Sequence, residues 1–166
     1  MMCRLFALWV CVVCLIPSNV VGADQEIVTL TLTYKKVGDC EIRADIYSYP
    51  ATNVTPAVVL IHGGALIMGD RQMLGNQIGR RMVRQVLDAG LKVVSIDYRL
   101  APETKLPAIV QDVQDAFRWI RKEGPTKLVI DGNRLAAVGH SAGGYLSLMA
   151  GSSVVPPPQA DRNSVV

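Results

Sequence analysis

The sequence predicts an α/β fold, with a mainly parallel sheet between helices and an antiparallel hairpin at its N-terminal edge. Three observations predict it. Short continuous apolar runs at residues 57–61, 93–96 and 135–139 alternate with segments of helical period. A strictly alternating stretch precedes them, as a half-buried strand requires. The 166 residues are 50% apolar and 19% charged, which suits one globular domain with a real core. The net charge of +3, with no Lys/Arg cluster, argues against nucleic acid as a partner.

The first 23 residues read as an export signal outside the fold. Arg4 supplies a positive end, residues 5–16 form an unbroken apolar run of 12, and Val21-Gly22-Ala23 offers small residues for cleavage. The run falls short of the ~20 residues a spanning helix needs; a buried N-terminal helix is the plain alternative. The expectation is an exported chain, secreted or periplasmic, with no membrane span after cleavage. Cys3, Cys11 and Cys14 leave with the signal, and Cys40 alone makes no intramolecular disulfide. His62 and His140 are the only histidines, and no Cys/His spacing suits a metal, so no cofactor is expected.

From residue 27 to 34, Val28, Leu30, Leu32 and Tyr34 share one strand face and Thr29, Thr31 and Thr33 the other. Gly38-Asp39 marks a turn, and Ile42, Ala44 and Ile46 alternate with Glu41, Arg43 and Asp45, completing a hairpin. The runs 57–61 and 93–96 read as strands covered on both faces. Between them Leu74, Ile78, Met82, Val83, Val86 and Leu87 recur at helical spacing and stop at Gly90, a C-terminal cap. A second helix has Pro107 in its first turn and Ile109, Val113, Ala116, Phe117 and Ile120 on one face. Residues 135–139 read as a third buried strand and 142–150 as a third helix. The implied division is 1–23 signal, 24–151 folded domain and 152–166 irregular tail, the last carrying Pro156-Pro157-Pro158.

Gly139-His140-Ser141-Ala142-Gly143 fits the pattern G-x-S-x-G, in which a strand turns sharply into a helix and exposes a nucleophilic serine at the turn. The apolar run before it and the helical run after it supply that context. The plain alternative is a tight turn with a capping serine. A second motif, His62-Gly63-Gly64-Ala65, directly follows the strand at 57–61. Backbone N–H groups of Gly63, Gly64 and Ala65 are placed there to meet the oxygen that becomes negative in a tetrahedral intermediate. The N–H of Ala142, at a helix N-terminus, adds a further donor. A simple glycine turn is the competing reading.

These pieces, with Gly69-Asp70, Asp97-Tyr98-Arg99-Leu100-Ala101-Pro102-Glu103 and Gly144, resemble the α/β-hydrolase esterase/lipase family, in particular its hormone-sensitive-lipase-like branch. The resemblance runs from about residue 27 to about residue 160. It implies an α/β-hydrolase fold that stops after the helix following the nucleophile, and a small-molecule ester as substrate. It makes Ser141 the nucleophile, with Gly64, Ala65 and Ala142 donating to the oxyanion. Ala65 stands where the family usually has a third glycine; its N–H serves provided φ stays negative. By the same resemblance His62 orients its loop, neither it nor His140 is the base, and Asp97, Arg99 and Glu103 form a buried polar brace.

The family order is serine, then Asp/Glu, then His. After Ser141 come 25 residues with Asp161 as the single acid and no histidine, so the acid and base of the triad are missing from this chain. Three readings follow. The first is a carboxylic ester hydrolase by family, here with an incomplete triad. The second is an inactive remnant that binds a ligand or another chain; the third is a serine peptidase of the prolyl-oligopeptidase type. The segment 97–103 favours the first over the third. The chain as given is expected to be inert towards activated esters and poorly soluble, with 135–139 an uncovered sheet edge.

Overall fold

The computed structural model describes residues 25–151. The expected signal at 1–23 and tail at 152–166 lie outside the described residues. In chain order come β1 (Val28–Val37), β2 (Cys40–Ser48), β3 (Thr55–Ile61), α1 (Gln77–Asp88), β4 (Lys92–Ile96), α2 (Leu106–Glu123), β5 (Ile130–Gly139) and α3 (Ala142–Gly151). A 3-10 turn, Met73–Gly75, precedes α1 and a π-turn, Gly124–Leu128, follows α2. The five strands form one sheet in the order β1-β2-β4-β3-β5. β1, β2 and β4 pair antiparallel, whereas β4, β3 and β5 pair parallel. The sheet is therefore mixed, with the expected hairpin at one edge turning through Gly38-Asp39.

Helices lie on both faces. On one, Ala57, Val59 and Ile61 of β3, with Val94 and Ile96 of β4, meet Ile109, Val113, Ala116, Phe117 and Ile120 of α2 and Leu146 of α3. On the other, Val58, Leu60 and Val93 meet Val83 and Leu87 of α1. Alternate side chains of β3 thus serve different layers, which is why its sequence is a continuous apolar run. Ile109, Val113 and Ile120 are fully buried. Truncating any one to alanine costs about 1–5 kcal/mol, through lost burial and the cavity left behind.

Three expectations change. β5 is no buried strand: Ala136, Ala137 and Val138 are exposed, because β5 pairs with β3 alone and forms the other edge of the sheet. Ile78 is 83% exposed: it lies in the first turn of α1, which directs Gly79, Val83 and Leu87 to the core instead. In β1, Val28 and Leu30 are exposed and only Leu32 and Tyr34 pack against the core, since the strand overhangs the helix layer at that end. Lys92, just before the expected start of β4, is buried and donates to the carbonyls of Leu128 (2.7 Å) and Val129 (3.2 Å). It satisfies carbonyls that the π-turn leaves open, and burial holds its ammonium below the usual lysine range.

Candidate active site

β3 and β5 run parallel in a register that sets Ile61 beside Gly139, so their C-terminal ends open side by side. β3 leads into His62 and the following loop; β5 leads into His140 and Ser141. The connection from β3 leaves to β4 on one side, while the chain returns to β5 on the other. This is a switch point, where parallel sheets open a crevice beyond their strand ends.

Ser141 has φ 56, a left-handed conformation that a non-glycine residue adopts at a cost of about 1–3 kcal/mol. Its carbonyl starts the helix, accepting from Gly144 (2.9 Å) and Tyr145 (3.2 Å), and its side chain is exposed. The turn closes by backbone contact: a Cβ on Gly139 would overlap the Gly143 carbonyl, and one on Gly143 would overlap Ile61 O. Across the crevice, a Cβ on Gly63 would lie 2.8 Å from His140 O and 3.5 Å from Ser141 Cβ. The structure therefore brings the His62-Gly63-Gly64-Ala65 loop against the serine turn. Among the described residues, no acceptor takes the N–H groups of Gly63, Gly64, Ala65 or Ala142, and the Ser141 hydroxyl has no hydrogen-bond partner.

The loop departs from expectation at Ala65, where φ is 53 and not negative; Leu66 follows at φ 68. The chain turns tightly here, with Gly64 O accepting from both Ile67 (3.0 Å) and Met68 (3.1 Å), and the left-handed pair makes that turn possible. His62 stacks on Tyr98 with ring centroids 4.1 Å apart, and its Nδ1 donates to Gly63 O at 2.8 Å. Both contacts turn its ring to the loop and none joins it to Ser141. Tyr98 is buried, which pushes its phenol up to about 12, and it donates to His62 O at 2.8 Å.

The polar brace is present in part. Arg71 donates to Asp97 Oδ2 (2.7 Å) and Asp45 Oδ1 (2.9 Å), tying the loop after β3 to β4 and β2. Arg99 donates to Asp112 through Nε (2.7 Å), its second guanidinium nitrogen (2.8 Å) and its backbone N–H (3.2 Å). Lys35 adds 2.6 Å contacts to Asp112 and Asp115. Glu103 is not part of the brace: it is exposed, because Asp112 already occupies the guanidinium of Arg99. Sequence reasoning missed Asp112 and Arg71. A single acid inside the apolar stripe of α2 signalled the first; Arg71, in an irregular loop, gave no signal.

Residues 44–156 match the BD-FAE family. Among solved structures, the hyperthermophilic esterase from Pyrobaculum calidifontis is 35% identical with a TM-score of 0.64, over 76% of this chain and 39% of that one. The thermophilic esterase Est2 of Thermogutta terrifontis is 26% identical with a TM-score of 0.62, over 72% of this chain and 42% of that one. Among curated proteins, the non-reducing polyketide synthase Preu6 of Preussia isomera is 34% identical over 157 residues, 87% of this chain and 7% of that protein. The non-reducing polyketide synthase ausA of Aspergillus calidoustus is 39% identical over 146 residues, 78% of this chain and 6% of that protein. The chain thus spans less than a tenth of those synthases and less than half of the two esterases. The chain belongs to the BD-FAE family and shares the α/β-hydrolase fold of these hormone-sensitive-lipase-like esterases.

Proposed function

We propose that this chain carries the nucleophile and the oxyanion-binding half of a serine ester hydrolase acting on small-molecule esters. The carrying observation is the approach of Gly63 to Ser141, with Ser141 held at a left-handed φ. In this reading Ser141 Oγ attacks the ester carbonyl. Free N–H groups of Gly63 and Gly64 and of Ala142 receive the developing oxyanion, the helix dipole adding to the last; Ala65, at a positive φ, is left out of the donor set. The serine proton needs a base. His62 is engaged with Tyr98 and Gly63, and His140 makes no hydrogen bond to Ser141. The 166-residue polypeptide is therefore proposed to stabilise an oxyanion without turning esters over. The esterases among the structural neighbours support the substrate class.

The test is labelling of the full chain with a p-nitrophenyl alkylphosphonate in excess imidazole, which takes the serine proton as p-nitrophenolate leaves, mapped by peptide mass spectrometry, beside a p-nitrophenyl butyrate assay without imidazole. Oxyanion stabilisation and binding alone leave about 10³–10⁴ over water in a triad enzyme stripped of its triad. The expected result is a single adduct, at Ser141, absent from Ser141→Ala, with no catalytic turnover. Labelling spread evenly over the chain's serines overturns the nucleophile assignment; Ser141-dependent turnover overturns the proposed inertness.

A further inference from the structure

We infer that the segment Tyr98–Ala101 is a two-point clamp on the oxyanion loop, with Tyr98 as a positioning residue for the proposed reaction; the inference rests on that reading. Its first point is the Tyr98 hydroxyl on His62 O at 2.8 Å, backed by the stacked rings. Its second is the Ala101 N–H on Leu66 O, also at 2.8 Å. Between those two carbonyls lie Gly63 and Gly64, two of the three proposed donors, and the left-handed Ala65. Among the described residues no other hydrogen bond ties the stretch His62–Leu66 to β4 or to the chain that follows it; Arg71, farther along the loop, bonds Asp97.

The loop needs such a clamp. Ala65 and Leu66 are consecutive non-glycine residues at φ 53 and 68, and such conformations persist only where the surroundings over-determine them. The only internal bonds of the turn run to Gly64 O, and they do not fix where the turn sits relative to Ser141. The clamp does, because its own base is fixed. Arg99, next to Tyr98, is held by three hydrogen bonds to the fully buried Asp112, and Asp97, on the other side, by Arg71. Asp97-Tyr98-Arg99 thus reaches Arg71 and His62, at two points of the loop after β3, and Asp112 of α2. Tyr98 touches no reacting atom; it acts through His62.

The experiment measures amide hydrogen exchange residue by residue in the full chain and in Tyr98→Phe, which keeps the stacked ring and removes the hydroxyl. The bonded amides of Ile67, Met68 and Ala101 report on the loop, and those of Val94 and Val113 on the sheet and α2. Loss of one ordinary hydrogen bond implies about tenfold faster exchange at the three loop amides, with the reference amides unchanged. Ser141 labelling by the phosphonate falls in the same variant by a similar factor. Gly69→Ala supplies a second perturbation should Tyr98→Phe fail to fold. Gly69 is exposed, and a Cβ there would press on the His62 ring and Gly63 O, so the same local pattern is expected. Exchange that rises uniformly, or not at all at the loop, in the folded variants overturns the clamp. Absence of selective labelling in the unmodified chain overturns the nucleophile reading instead, and the exchange pattern still decides the clamp.

Discussion

Replacing Asp112 by asparagine tests the buried base on which the segment after β4 stands. The carboxylate is fully buried and accepts from Lys35 Nζ and from three N–H groups of Arg99. Asparagine keeps the shape, removes the charge and turns an N–H2 towards donors that need acceptors. Breaking a buried pair by removing one partner costs about 3–5 kcal/mol. Two facts place this case at the lower end. The Lys35 and Arg99 side chains are 18% and 21% exposed, so water compensates them in part, and Lys35 keeps Asp115. The working value is about 3 kcal/mol. With an unfolding entropy of ~2.1 cal/mol/K per residue over residues 25–151, or ~0.27 kcal/mol/K in total, Tm falls by about 11 °C. The assay is thermal unfolding followed by far-UV circular dichroism at pH 7, with exposed Glu103→Gln as the control, expected within about 2 °C. A fall of less than about 3 °C for Asp112→Asn, within reach of a surface change, would refute the buried-anchor argument.

Two more perturbations test other parts of the structure. Burial raises the Asp115 carboxyl, but hydrogen bonds and attraction from Lys35 and Arg118 outweigh it and hold the group below 3.8. Its stabilisation is therefore complete above the unfolded value and lost as pH falls through the folded one, so the stability lost on Asp115→Asn is largest at pH 7 and shrinks as pH falls below the usual carboxylate range; a loss that does not shrink on acidification would contradict this. Gly143→Ala forces a Cβ into Ile61 O and costs at least about 3 kcal/mol by urea unfolding, whereas Gly75→Ala, with nothing within 4 Å, changes stability by under about 0.5 kcal/mol.

The sequence shows α2 and β4 clearly because every residue that makes their pattern ends in the core. It shows the serine turn because both glycines answer a backbone contact. Period alone could not show that α1 turns Ile78 outward, or that β5, expected at an edge but also read as buried, leaves Ala136, Ala137 and Val138 exposed, since both depend on which neighbours an element finds. The left-handed Ala65 and Leu66 were invisible for a different reason: residues with a Cβ carry no sign that surrounding bonds will force a positive φ. Asp112 stands as an acid inside the apolar stripe of α2, and only the arrival of Arg99 and Lys35 shows what pairs with it there.

The junction between β3, β5 and α3 is made of main chain against main chain, at Gly139, Gly143 and Ile61 O. Such a junction asks nothing of side chains except that two Cβ atoms be missing. Val138, His140, Tyr145 and Leu148 stand around it, exposed, and can be exchanged without disturbing the turn that presents Ser141. A mutational library confined to those four positions would vary exposed side chains while the backbone frame stays fixed. Chemistry and selectivity could then be altered separately, one written in the backbone and the other in replaceable side chains.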